Sequence, residues 1–273
     1  MNLSRDVTDG LKNGLLMGAA VLVLVVPQVR HHGTLTPSLV PSLSQADMGS
    51  LTAPSPAESV VTPGADSPSA IERKLELGSE IASRDVRRVA QWVVDSADNG
   101  TQNFVILDKR NAKVFVFEPG GKLLGASPVL LGYAAGDDTV PGIGERPIDQ
   151  VRPQERTTPA GRFVAEPGRN ARQEDVVWVD YDAAVSMHRV ITTNPKEHRL
   201  ERLATPTAAD NRISYGCINL PPSFFESVLF PVFRGHRGIV YVLPEVKPLG
   251  EVFPGVKNSG LRMAGGRASP PPI

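Results

Sequence analysis

One residue in 273 is cysteine, Cys217, and it stands in Arg212-Ile213-Ser214-Tyr215-Gly216-Cys217-Ile218-Asn219-Leu220. Thiol catalysis needs a base to make the thiolate, a group that orients the base, and donors for an oxyanion. The chain has five histidines. His31 and His32 adjoin an apolar run, His198 lies in the polar stretch Lys196-Glu197-His198-Arg199, and His236 sits in the turn-like Arg234-Gly235-His236-Arg237. His188 ends Ala183-Ala184-Val185-Ser186-Met187, a strand-like run that can hold a side chain rigidly, and is the best candidate base. Ser214-Tyr215-Gly216-Cys217 suits an oxyanion hole, because glycine lets backbone approach a substrate and successive amides can aim at one point. A helix expected just beyond would bring its positive end near the thiol and lower its pKa. The ordinary alternatives are a small buried cysteine and a tight turn.

Other chemistries find less support. A lone cysteine and scattered histidines lack zinc-ligand spacing, and no glycine-rich phosphate loop is present, so no metal or cofactor is expected. Lys+Arg and Asp+Glu both number 29, for zero net charge, which lacks the basic footprint of nucleic-acid binding. A papain-like protease has its nucleophile before its histidine, whereas here His188 comes first. Arg189 and Arg212 bracket the candidate site, where a guanidinium could bind a substrate carboxylate bidentately; Asn219 is a further candidate substrate contact.

The elements that must position these groups follow from composition and periodicity. Asn13 to Val29 is uncharged and apolar, with no small-x-small cleavage site after it, so residues 1–32 read as a signal anchor or signal peptide. The spacer 33–78, rich in Pro, Ser, Thr, Ala and Gly, is expected to be a disordered linker. A domain is expected over 79–248. Ile81, Val86, Val89, Trp92 and Val93 share a helical face that Asn99-Gly100 terminates. Strands are expected at Phe104–Asp108, Lys113–Phe117, Lys122–Leu131, Gly161–Glu166, Val176–Tyr181, Ala183–His188 and Gly238–Leu243. A short helix fits Pro222–Leu229 with Pro231 ending it. Residues 249–273 read as a frayed tail. Trp178 and Tyr181 read as core or wall residues. The polar stretch Ile191–Asn211, with Arg199 and Arg202, is either a lid or substrate-contacting loop or a solvated loop without a role.

The motif around Cys217 resembles the Ser-His-Gly-Cys signature of the L,D-transpeptidase (YkuD-type) catalytic domain. His188-Arg189 resembles that family's His-Gly or His-Ser element, and Thr157-Thr158-Pro159-Ala160-Gly161-Arg162-Phe163 is similar to its Thr-Pro-x-Gly-x-Phe turn-strand. The three occur in the family's order within roughly residues 100–245. Tyr215 departs from the pattern by replacing the usual histidine. The resemblance implies a mainly β fold, an L,D-transpeptidase-type β-sandwich with a few short helices. It implies Cys217 as nucleophile, His188 as base, and Ser214, Tyr215 and Gly216 around the oxyanion. It further implies peptidoglycan stem peptides as partners, carbapenem-type β-lactams as inhibitors, and a location on the periplasmic side of the inner membrane or free in the periplasm. The alternatives on the same scaffold are L,D-carboxypeptidase action, exchange with a free D-amino acid, attachment to a protein lysine, and a non-catalytic peptidoglycan-binding module.

Overall fold

The computed structural model of the protein describes residues 71–256. The expected anchor, most of the linker and the end of the tail lie outside them. Among the described residues no helix is long and apolar enough to cross a membrane.

Helix α1 (Arg84–Ser96) starts where Ser83 Oγ accepts the Val86 amide proton, a side-chain N-cap, and stops where Ala97 turns left-handed. Its buried residues Val86, Val89, Ala90, Val93 and Val94 recur at helical spacing. Ile81 was expected on that face. It lies before the cap instead and is 81% exposed.

Ten strands among the described residues follow the turn signals: β1 (Phe104–Asp108), β2 (Lys113–Phe117), β3 (Leu123–Pro128), β4 (Leu131–Gly132), β5 (Gly161–Arg169), β6 (Asp175–Asp180), β7 (Val185–Arg189), β8 (Arg212–Ser214), β9 (Ile218–Leu220) and β10 (Gly238–Val242). Eight form one ladder in the order β3-β2-β1-β10-β5-β6-β7-β9, while β4 pairs with β8. Strand β5 is the corner: residues 161–165 pair with β10 and residues 166–169 with β6. Pro167 and Gly168 occupy the second half, where a missing donor and a missing side chain suit a strand changing partners.

The ladder therefore folds into two facing sheets, a sandwich of the kind that the family resemblance implied. Val105, Leu107, Val114, Val116, Val240 and Val242 from one sheet meet Val177, Val179, Val185, Met187, Ile218 and Leu220 from the other in the main core. The outer face of the first sheet carries Phe104, Ile106, Phe115, Phe117 and Tyr241 and is covered by α1. Covered on both faces, β1 and β10 are buried throughout and read as continuous apolar runs.

Three expectations are corrected. Leu75 and Leu77 pack on the α1 cluster and Glu76 bridges to Lys122, so ordered structure begins inside the expected linker. The short helix Leu249–Val252 precedes buried Phe253 and Val256 of the same cluster, so the tail begins later than 249. The helix at 222 also passes Pro231. It is α-helical over Pro222–Phe224, π-helical over Phe225–Leu229 and α-helical again over Phe230–Phe233, and Pro231, lacking an N–H, falls in the first turn after the π segment. We call residues 222–233 α3.

Candidate active site

Side-chain alternation in β7 and β9 builds the site. Val185 and Met187 point into the core, so Ser186 and His188 point to the opposite face of the sheet. In β9, Ile218 and Leu220 are core, leaving Asn219 on that other face beside its register partner His188. Continuing the parallel register one step places Cys217 next to Ser186. The thiol lies 3.8 Å from Ser186 Oγ and 3.5 Å from the Ala184 carbonyl.

The Ser-Tyr-Gly-Cys segment is a turn that knits itself. Ser214 Oγ accepts the Gly216 amide proton at 3.1 Å and donates to the Cys217 carbonyl at 2.6 Å. Gly216 has φ +132°, and a Cβ there would lie 2.8 Å from the Thr157 carbonyl oxygen, so only glycine fits. Thr158 Oγ1 donates to the Gly216 carbonyl at 2.8 Å and accepts from the Gly132 amide at 3.0 Å. The Thr-Thr-Pro segment is thus the wall against which the cysteine turn is set. Of the expected oxyanion donors, the Gly216 amide is occupied by Ser214. The amides of Tyr215 and Cys217 have no acceptor among the described residues.

His188 Nδ1 lies 2.7 Å from the Arg189 carbonyl. A carbonyl only accepts, so Nδ1 carries the proton and Nε2 is the nitrogen free for transfer. The imidazole and the thiol, both half-buried, lie on the same sheet face and act on each other electrostatically. Burial is the strongest influence and opposes charge on both. The hydrogen bond and charge of each partner outweigh it, with the Ser186 amide and hydroxyl adding to the thiol's side. The thiol falls below its ordinary range and the imidazole rises above its own. Each shift is toward the charged form of its group. The helix expected to supply this effect is not beside the thiol, because β9 intervenes before α3 starts.

Asn219, 1% exposed, occupies the centre of the site. Its Nδ2 lies 3.4 Å from His188 Nε2 and donates to the Cys217 carbonyl at 3.3 Å. Arg199 Nη1 donates to Asn219 Oδ1 at 2.6 Å, which fixes the amide's orientation. Arg199 opens helix α2 (Arg199–Ala204) and is paired with Glu197. The stretch Ile191–Asn211 therefore braces the site: Leu203 is buried with Leu130 and Val190, and Arg202 donates to the carbonyls of Glu197 and Asp210. Arg199 was noticed in the sequence only as part of that stretch. No local spacing connects it to Asn219, because the contact is made through the packing of α2.

The two arginines expected to bind substrate are occupied elsewhere. Arg189 pairs with Glu226, donates to the Asp175 carbonyl and lies over the Phe225 ring, tying β7 to α3. Arg212 pairs with Glu245 and donates to the Lys109 carbonyl. Alternation explains Arg189: neighbours along a strand point to opposite faces, and His188 has the site face. Trp178 and Tyr181 lie ring to ring, 5.1 Å apart. Among the described residues no group of three or more His, Cys, Asp or Glu could hold a metal ion.

No protein-family model matches the chain, and no curated protein matches it. Solved structures do. One is Ldtfm as its avibactam carbamoyl enzyme, at 18% identity and TM-score 0.32, covering 53% of this chain and 49% of that one. Another is the helical cell shape determining protein Pgp2 of Campylobacter jejuni, at 12% identity and TM-score 0.37, covering 67% and 65%. A third is an L,D-transpeptidase of Stackebrandtia nassauensis, at 18% identity and TM-score 0.32, covering 60% and 68%. The match thus spans about half of the first and about two thirds of the other two.

Proposed function

We propose that this chain is a cysteine acyltransferase acting on peptidoglycan stem peptides, an L,D-transpeptidase. One observation carries the reading. Cys217 and His188 meet on one sheet face, with Nδ1 tied to the Arg189 carbonyl and Nε2 left for proton transfer. The motif order around them supports the substrate class.

In this reading the Cys217 thiolate attacks the carbonyl at the L-centre of the stem's diacid residue, usually diaminopimelate. The C–S bond forms and the carbonyl electron pair moves onto oxygen, with the Tyr215 and Cys217 amides as its donors. Collapse breaks the C–N bond, and His188 Nε2–H protonates the departing D-Ala nitrogen. The amine of a second stem then attacks the thioester, gives its proton to Nε2 and releases the thiolate. One amide is exchanged for another, and the chemistry needs no cofactor. The apolar run at 13–29 would hold the domain on the periplasmic side of the inner membrane.

The test incubates the whole chain with diaminopimelate-containing disaccharide tetrapeptides, beside Cys217→Ala, and reads products by mass spectrometry. A dimer lacking one D-Ala, absent with the variant, supports transpeptidation. Tripeptide alone makes the acceptor water. Unchanged substrate with a thiol inert to reagents sinks the reading and leaves a stem-binding module. A carbapenem should add covalently to the native chain and not to Cys217→Ala.

A further inference from the structure

With Arg189 and Arg212 occupied, the site needs another cation if it is to hold a carboxylate-bearing peptide. Arg156 stands beside the cysteine turn. Its guanidinium lies over the Tyr215 ring, 3.9 Å from the centroid. Its Nε and Nη2 both donate to the Val151 carbonyl, at 3.1 and 3.0 Å. Its Nη1 has no acceptor among the described residues, and no carboxylate pairs with it there. The neighbouring Thr157 carbonyl packs against Gly216, so the backbone of Arg156 is anchored at the turn that carries Cys217. The loop before it is rigidly tied: Glu155 accepts from the Arg152 amide at 3.0 Å and from the Arg152 and Arg146 side chains.

A guanidinium seated over a ring, oriented by one carbonyl and left without a counter-charge among the described residues, is built to receive an anion. Tyr215, 38% exposed, supplies the ring at the position where the resembling family has histidine. We propose that Arg156, seated on Tyr215, is the specificity-determining residue that binds a carboxylate of the acyl donor. Two carboxylates share this chemistry, the one on the leaving D-residue and the one on the diacid side chain. The proposal rests on the acyl-transfer reading above.

The first test uses two alkylating reagents of similar size, anionic iodoacetate and neutral iodoacetamide, each forming a thioether at Cys217 with loss of iodide. Their rate ratio cancels any change in thiolate fraction. In the whole chain, Arg156→Gln should lower the iodoacetate-to-iodoacetamide ratio roughly fivefold to tenfold, the weight of a charge-assisted contact. Tyr215→Ala should lower it too, and Tyr215→Phe, which keeps the ring, should not. An unchanged ratio in Arg156→Gln overturns the carboxylate role while leaving the acyl-transfer reading intact. A native thiol inert to both reagents overturns both. The second test measures kcat/KM on donors amidated at one carboxylate or the other. The amide that costs the native chain as much as Arg156→Gln costs on the free acid, with no further loss when combined, identifies the carboxylate. Full additivity with both amides overturns the proposal.

Discussion

Two clusters of ionisable groups invite comparison, one around Lys109 and one around Cys217. Lys109 has a side chain 0% exposed and donates to the Gly136 carbonyl, to Asp137 Oδ1 at 2.7 Å and to the Thr158 carbonyl at 2.8 Å. Asp137 accepts from the amides of Glu245, Val246 and Lys247, and Glu245 pairs with Arg212. Every ammonium proton there has an acceptor. The cluster clamps the segment behind Thr158, and so backs the wall of the cysteine turn. Around Cys217 the pairing is looser: the thiol meets one imidazole, the Ser186 hydroxyl at 3.8 Å and the Ala184 carbonyl at 3.5 Å, and two nearby amides have no acceptor among the described residues. Burial and full pairing mark scaffold, whereas charge held ready beside unfilled donors marks chemistry.

That contrast can be broken by substitution. Cys217→Ala should abolish turnover, by at least about 10³-fold as for other nucleophile deletions, and shift stability by less than about 1 kcal/mol; a large fall in Tm would mean that the thiol is structural. Asp137→Asn should do the reverse, leaving buried Lys109 with only the Glu245 carboxylate, 3.5 Å away, as counter-charge, at a cost of about 3 kcal/mol, with thiol alkylation unchanged in the folded protein. The acid limb of stability probes the same group. Burial would raise the Asp137 carboxyl, but the Lys109 hydrogen bond and the three amides outweigh it and take it from 3.8 to about 2. Because the folded value lies below the unfolded one, its contribution of about 2 kcal/mol is present above pH 4 and is lost as pH falls toward 2. Denaturant titrations at several pH values measure this.

The next effect sharpens the catalytic side. His188→Ala removes the partner that lowers the thiol and leaves the burial that raises it. The alkylation midpoint should move up, and the rate at pH 7 should fall by about 10- to 100-fold; an unmoved midpoint would detach His188 from the thiol. The smallest expected effect is at the brace. Arg199→Ala leaves the buried Asn219 Oδ1 without its donor, at about 1–3 kcal/mol. It also removes a positive charge that holds His188 down. The alkaline limb of the pH–rate profile should therefore shift upward and kcat fall by about tenfold, with partial rescue by Arg199→Lys. Lost stability with an unmoved profile would make Arg199 purely structural.

Much of this was legible in the sequence where the signal is local. Turn residues and apolar runs located seven strands and the α1 helix closely, and residue type singled out Cys217 and His188. The short strands β8 and β9 were missed because three residues carry too little periodicity, and the motif that holds them reads as a turn. Arg189 was misread because a position next to a catalytic candidate looks close in sequence, while a strand sends alternate side chains to opposite faces.

By itself, then, the sequence determined which groups could do thiol chemistry and which elements would carry them, because nucleophile type and strand pattern are properties of a few adjacent residues. Tertiary structure alone decided which charges are spent and which are free. Arg212 meets Glu245, Arg199 meets Asn219 and Arg156 lies on Tyr215 across separations of 33, 20 and 59 positions. Contacts of that span depend on how two sheets fold about β5 and on where the packed loops come to rest, which no local pattern encodes.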